Sequence, residues 1–268
     1  MTAIRVDGGT RLYGIVGHPI AQVRSPEVFS ELFAAGGINA VMLPIHVLPD
    51  RFDTTMPALM GLANLDGLLV TVPYKPQAAR LADRLGTTAG RIGAVNALRR
   101  DPEGTWIGDM FDGVGFVRAF EGKECELRGR RVALFGAGGA GSAIACELAA
   151  ASVASLAIID PQRERATALA DTLRRAFSGC RVDVADAVPQ GADMIVNAST
   201  VGMSSDDGMP GEIGPLASDV LVGDVIVSRE PTALIRHAIR HGCRHIVGRE
   251  MVAGQAEAIM NFFAQARR

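Results

Sequence analysis

The chain reads as an α/β protein of two domains, and three observations carry that reading. Its 268 residues exceed a typical single domain. Short apolar runs alternate with amphipathic stretches of roughly 10–15 residues, the pattern of strands joined by helical crossovers. Residues 131–160 read RVALFGAGGAGSAIACELAAASVASLAIID: an apolar run, a glycine cluster, an Ala-rich stretch, then a second apolar run ending on an acid.

The elements follow in order. Leu12–Gly17 reads as a strand, Pro26–Ala35 as a helix with Ser25 as its N-cap, Val41–Val47 as a strand and Arg51–Ala63 as a helix. Gly67–Val72 is another strand, and Pro76–Leu85 another helix with proline in its first turn. Strands so separated imply right-handed crossovers and a largely parallel sheet. Ala94–Arg99 and Thr105–Gly108 pair around the turn Asp101–Gly104, and Asp112–Phe120 is a connecting helix. Strands are then expected at Arg131–Phe135, Ser155–Ile159, Arg181–Val184, Asp193–Asn197, Leu221–Val227 and His245–Val247. Glu250–Ala266 is a long amphipathic helix whose Met251, Val252, Ile259, Met260 and Phe263 can pack on the first domain. The expected division is residues 1–107 with 250–268 packing back on them, then 108–249, with a cleft between.

Composition narrows the function classes. The chain is 48% hydrophobic and 21% charged, with a net charge of −2. Both signs are interspersed, which excludes a nucleic-acid footprint and a polybasic membrane patch. No uncharged apolar stretch reaches the ~20 residues that span a bilayer. The cysteines (Cys125, Cys146, Cys180, Cys243) lack metal or disulfide spacing, so reduced thiols in a cytoplasmic protein are expected. His237, His241 and His245 recur every fourth residue, but Gly242 interrupts the helix between the last two. Surface histidines are expected there, and no metal site. The chain is expected to be a monomer or homodimer acting on a small molecule.

In residues 131–160, Gly136 permits a sharp turn, Gly138 lets backbone approach a pyrophosphate without a Cβ in the way, and Gly141 lets helix pack on strand. The helix N-terminus offers unpaired N–H groups and a positive dipole end to phosphates. This is the dinucleotide-binding pattern of a Rossmann domain, with Ala137, Gly139 and Ala140 completing the turn. Asp160 ends the second strand, where a carboxylate accepts hydrogen bonds from ribose hydroxyls and repels a 2′-phosphate, which favours NAD over NADP. Asp160-Pro161 also fits an N-cap followed by an N1 proline. Arg163 and Arg165 lie close enough in sequence to offer a phosphate some affinity, so NADP stays open.

A second constellation precedes the glycines. Thr71-Val72-Pro73-Tyr74-Lys75 follows a buried strand that Pro73 cannot extend, so Thr71 and Lys75 stand at the carboxyl edge of a parallel sheet, where α/β folds bind ligands. Lys75 precedes Pro76 at a helix N-terminus, where the dipole and burial both disfavour an ammonium; such a lysine can take a proton from an alcohol. A solvated lysine is the alternative. Asn96 lies on a strand in Gly93–Asn96, and Asp112 opens a helix within Gly108–Gly113.

Six collinear segments resemble the shikimate/quinate dehydrogenase family over nearly the full length: GHPIAQVRSP from Gly17, TVPYK from Thr71, GAVN from Gly93, GDMFDG from Gly108, NASTVGM from Asn197 and GREMVAGQA from Gly248. The resemblance implies a substrate domain followed by a Rossmann domain. It implies reversible hydride transfer between NAD(P) and a ring hydroxyl of shikimate or a related cyclohexene or cyclohexane carboxylic acid. Lys75 would be the acid/base group and Asp112 its hydrogen-bonded partner. Ser25, Thr71, Asn96 and Gln255 would bind substrate, with Val23 also facing it. Beyond the glycine turn, Asp160 and Arg165, the cofactor would meet Asn197, Ser199, Thr200, Val225, Gly248 and Met251. The chain departs from the family pattern where Val23 replaces a serine facing the carboxylate, Leu69 an asparagine and Val227 a tyrosine. Asp160-Pro161-Gln162 stands where NADP-using members tend to have Asn-Arg-Thr. These departures suggest a changed or broader substrate and agree with NAD. The alternatives are a quinate- or aminoshikimate-type dehydrogenase, or a regulatory paralogue that holds dinucleotide without turnover.

Overall fold

The structure, a computed structural model, describes residues 6–204 and 206–267. The chain divides into two compact units: one runs to Phe111 and resumes at Ala256, and the other is Asp112–Gln255.

The first unit contains β1 (Arg11–Gly17), α1 (Ser25–Ala35), β2 (Ala40–His46), α2 (Phe52–Met60) and β3 (Leu65–Val70). It continues with α3 (Lys75–Ala79), β4 (Arg84–Leu85), α4 (Thr87–Ile92), β5 (Ala97–Arg100) and β6 (Trp106–Asp109). Its sheet has the order β2-β1-β3-β5-β6-β4. β1 pairs parallel with β2 and β3, β4 pairs parallel with β6, and β5 runs antiparallel to both its neighbours. Every residue of β3 is buried, including Asp66, whose carboxylate pairs with Arg11. The core joins Tyr13, Phe29, Phe33 and Met42 to Ile259, Phe262 and Phe263 from the end of the chain. The Tyr13 ring lies 4.6 Å from Phe33 and 4.8 Å from Phe263, within the range of favourable aromatic pairs. A Cβ on Gly67 would stand 2.8 Å from the Phe263 ring, so the strand is bare where that ring packs.

The second unit contains α5 (Asp112–Glu121), β7 (Arg131–Phe135), α6 (Gly139–Ala150), β8 (Ser155–Ile159), α7 (Arg163–Ala176) and β9 (Arg181–Val184). Then come β10 (Met194–Asn197), β11 (Leu221–Asp224), α8 (Ala233–Arg240), β12 (His245–Ile246) and the start of α9 (Gly248–Ala264). All its strands pair parallel in the order β12-β11-β10-β7-β8-β9. The winding reverses between β7 and β10, which makes their carboxyl ends the switch point of the sheet. Among the described residues no helix is long and apolar enough to cross a membrane.

Several elements differ from expectation for visible reasons. The helix expected over Pro76–Leu85 stops at Ala79. Asp83 exchanges hydrogen bonds with Trp106, its N–H donating to the Trp106 carbonyl and its carboxylate accepting from the Trp106 N–H, which draws β4 alongside β6. The unexpected α4 begins under the Asp109 carboxylate, which accepts from Ala89 N, and ends at Gly93 in the left-handed region, φ 66°. Ser25 is the first buried residue of α1, not its cap; Arg24 holds the cap position. The first sheet is mixed, because β5 returns as a hairpin arm. β11 ends at Asp224, whose carboxylate accepts from Ile226 N and turns the chain out of the sheet.

Phe263→Ala removes a fully buried ring that touches two strands and a helix. It should destabilise the protein by about 3–5 kcal/mol, read as a lower midpoint in urea unfolding.

Candidate functional site

In the first unit the candidate residues gather at the carboxyl edge of β1, β2 and β3. Thr71 N donates to Val16 O at 2.9 Å and His18 N to Val72 O at 2.9 Å, tying the two strand exits together. A Cβ on Gly17 would stand 2.3 Å from the Thr71 methyl, so only glycine lets these exits lie so close. Tyr74 is fully buried; its hydroxyl donates to Val47 O at 2.6 Å and its ring stacks on Phe52 at 4.4 Å. Burial pushes the Tyr74 hydroxyl above its ordinary pKa, with Asp50 adding to the effect. The turn that presents Lys75 is therefore anchored one residue earlier. Lys75 opens α3, and its carbonyl accepts from Val95 N at 3.0 Å. That bond brings Asn96 to the same edge. Asn96 is buried, donates its backbone N–H to Asp109 O and accepts from Phe111 N through its side-chain oxygen at 2.9 Å. Thr71, Lys75 and Asn96 thus converge. Val23 is half-buried and packs on the core cluster, and Ser25 is buried at the start of α1.

Sequence reasoning missed Tyr74, Asp109 and the pair His18–His46. These imidazoles stand at the ends of β1 and β2, 2.9 Å apart, Nδ1 to Nε2. The aromatic just before the lysine and the acid two residues after Ile107 were both visible; their partners were not.

In the second unit the glycine turn has the geometry its pattern predicts. Gly136 has φ 95°, and a Cβ there would stand 2.8 Å from the Ala198 carbonyl and Ser199 N. A Cβ on Gly141 would stand 2.0 Å from Gly136 O. Gly138 caps α6 with extended backbone and no side-chain cap, and a Cβ there would meet nothing within 4 Å. The N-terminus of α6 carries no side-chain cap and its cap position is open to a close approach, which fits a dinucleotide pyrophosphate. Gly139 and Ala140 form that first turn, and Ala137 is buried beneath it.

The Asp160 carboxylate accepts from Ala137 N at 2.7 Å and from Gln162 N at 2.8 Å. It is not the N-cap of α7, a place held by Gln162, because it reaches across to the glycine turn instead. Arg163 pairs with Asp186 at 2.6 Å, and Arg165 is exposed one turn into α7. Ser199 and Thr200 lie on the loop after β10, Ser199 folded onto Asn197 and Thr200 exposed. Val225 N donates to Asn197 O, and a Cβ on Gly248 would stand 2.4 Å from Val225 O. Met251 is buried in the first turns of α9. Asp112 opens α5 and is buried; Gln255 is buried on α9. The helices cross at Gly115, where a Cβ would stand 2.3 Å from Met251 O and 2.9 Å from the Gln255 Cβ. Asp112 lies one turn before Gly115 on the same face, which puts Asp112 and Gln255 on one seam.

Comparison with known proteins agrees with this layout. The family model described as "Shikimate dehydrogenase substrate binding domain" matches residues 15–98. Shikimate dehydrogenase (NADP(+)) of Rubrobacter xylanophilus is 35% identical over 262 residues, 95% of this chain and 91% of the relative. The crystal structure of shikimate 5-dehydrogenase from Listeria monocytogenes in complex with shikimate and NAD matches with a TM-score of 0.85 at 25% identity, covering 98% of this chain and 94% of that one. Quinate dehydrogenase from Corynebacterium glutamicum in complex with NAD matches at 0.82 and 30% identity, covering 95% and 93%.

Beneath the second site lies the carboxylate of Asp224, 1% exposed. Burial raises its pKa, against hydrogen bonds from Thr232, Ile226 and Asn197 that lower it. A carboxyl with a higher pKa folded than unfolded stabilises the fold fully below the unfolded value, and that contribution is lost as pH rises through the folded value. Asp224→Asn should therefore raise the Tm at neutral pH, and its advantage over the parent should shrink on acidification, as thermal melts across that range would show.

Proposed function

Proceeding from the shikimate dehydrogenase family, to which this chain belongs, we propose that it transfers hydride reversibly between NAD(P) and a ring hydroxyl of shikimate or a closely related cyclic polyol acid. It is an NAD(P)-dependent oxidoreductase acting on a CH–OH group. The observation that carries the substrate reading is the convergence of Thr71, Lys75 and Asn96 on one sheet edge.

In this reading Lys75 takes the proton from the ring hydroxyl during oxidation and returns it during reduction, with Asp112 completing the acid/base pair. Asn96, Thr71, Ser25 and Gln255 hold the ring hydroxyls and the carboxylate. The bound nicotinamide supplies the hydride acceptor or donor, and the protein supplies alignment and proton transfer. The backbone of Gly136–Ala140 binds the pyrophosphate. Ser199, Thr200, Val225, Gly248 and Met251 line the rest of the dinucleotide. A quinate-type substrate is the second reading, favoured by the likeness to the quinate dehydrogenase. NAD is the preferred cofactor. Asp160 stands at the end of β8 with its charge fixed beside the glycine turn, and Arg163 is engaged by Asp186.

Lys75→Ala should lower kcat by about 10²–10⁴-fold, the usual contribution of a general acid/base, while dinucleotide affinity stays within error. Unchanged turnover with shikimate and quinate, followed by absorbance of the reduced nicotinamide, would refute its role. Asp160→Ala should narrow the ratio of kcat/KM for NAD over NADP by about tenfold or more, since a hydrogen bond to a charged group contributes roughly 1.5–3 kcal/mol. Parallel assays with the two cofactors check this.

A further inference from the structure

Asn197 and Asp224 end adjacent parallel strands and stand opposite each other in the register of β10 and β11. Both are 1% exposed. Their side chains join directly, Asn197 Nδ2 donating to Asp224 Oδ1 at 3.0 Å. Asn197 spends the rest of its amide on the loop that follows it: Nδ2 also donates to Val201 O, and Oδ1 accepts from Ser199 N and Ser199 Oγ. Asp224 spends its carboxylate on the other exit: Oδ1 accepts from Ile226 N, and Oδ2 from Thr232 Oγ1 at 2.6 Å. Thr232 in turn caps α8 by accepting from Ile235 N.

We infer that Asn197 and Asp224 are a buried latch that fixes both loops of the switch point, residues 198–202 and 225–231, and so positions the dinucleotide without touching it. This rests on the dinucleotide reading above. The first loop lies on the glycine turn, where Ala198 and Ser199 leave no room for a Cβ on Gly136. The second begins at Val225 and Ile226; Gly248 N at the start of α9 donates to Ile226 O, and a Cβ on Gly248 would collide with Val225 O. A side chain with every donor and acceptor turned inward acts through the backbone it holds. Asn197 is on this view a positioning residue. Among the described residues the Asp224 carboxylate has no ion-pair partner, so the latch is held by hydrogen bonds.

The substitutions separate geometry from charge. Asp224→Asn keeps the latch, because its oxygen can accept from Asn197 and Ile226 while its amide donates to Thr232. Asp224→Ala leaves three donors without an acceptor. Thr232→Val removes one hydroxyl without changing shape, and Thr232→Ser restores it. Dinucleotide Kd is read by fluorescence titration of the reduced cofactor on the full chain, and KM for shikimate at saturating cofactor. Expected are a Kd about tenfold or more weaker for Asp224→Ala and Thr232→Val, values within about threefold of the parent for Asp224→Asn and Thr232→Ser, and a shikimate KM within about twofold throughout. If Asp224→Ala does not fold, the threonine pair carries the test alone. Unchanged Kd in both disruptive variants overturns the latch. So does a shikimate KM that rises with the cofactor Kd, which marks general loosening, or a loss in Asp224→Asn equal to that in Asp224→Ala, which marks charge as the cause. A parent protein that binds no dinucleotide overturns the family-level reading itself and the latch with it.

Discussion

The second unit depends on one close approach: the peptide leaving β10 lies directly on the turn leaving β7. Gly136 and Gly141 make it possible, and Ala198 N seals it by donating to Phe135 O at 2.7 Å. In a doubly wound sheet the helices diverge at the switch point, so two exits there have no crossover helix between them. A Cβ at either glycine would push the exits apart. The N-terminus of α6 would then face a different volume. The backbone donors of the turn and the loop after β10 therefore form a single surface, and their shape is inherited from the absence of two methyl groups.

The sheet of the first unit solves the same problem with side chains. Its exits are held by Tyr74, which fastens the turn after β3 to Val47, and by Asn96, which fastens the start of β5 to the chain after β6. Asp109 adds a third brace. Its carboxylate accepts from Ala89 N and Met110 N, and a Cβ on Gly86 would collide with it. The short helix α4 thus starts in a defined place, and the left-handed Gly93 releases the chain toward Asn96. Every brace spends a polar side chain on backbone, which fixes direction more sharply than apolar packing can.

The fold was largely legible because its signals are local. The period of the apolar runs, the glycine spacing and the prolines after strands and at helix starts all act within a few residues, and the elements they mark are present. What escaped was set by individual side-chain hydrogen bonds, some to partners distant in sequence and some local. The helix after Lys75 looked long because Arg80–Leu85 has helical composition, yet Trp106 captures Asp83. The strand after Leu221 looked long because Val225, Ile226 and Val227 are β-formers, yet Asp224 turns the chain with its own carboxylate. The substrate-edge residues Thr71, Lys75 and Asn96 were found by motif, whereas Tyr74, Asp109 and Asp224 were not. Tyr74 and Asp109 spend their side chains on backbone atoms, and Asp224 joins Asn197, Thr232 and Ile226 N, pairings that no pattern of residue types encodes.

Asp160 ties the end of β8 to the glycine turn rather than capping α7. A carboxylate offers about four lone-pair sites. Two are occupied here by Ala137 N and Gln162 N, which fix the rotamer and bind the end of β8 to the glycine turn. The remaining capacity can accept from a vicinal diol but has no means to accommodate a second anion. The carboxylate that reaches the end of β8 is thus the one that holds the glycine turn in place.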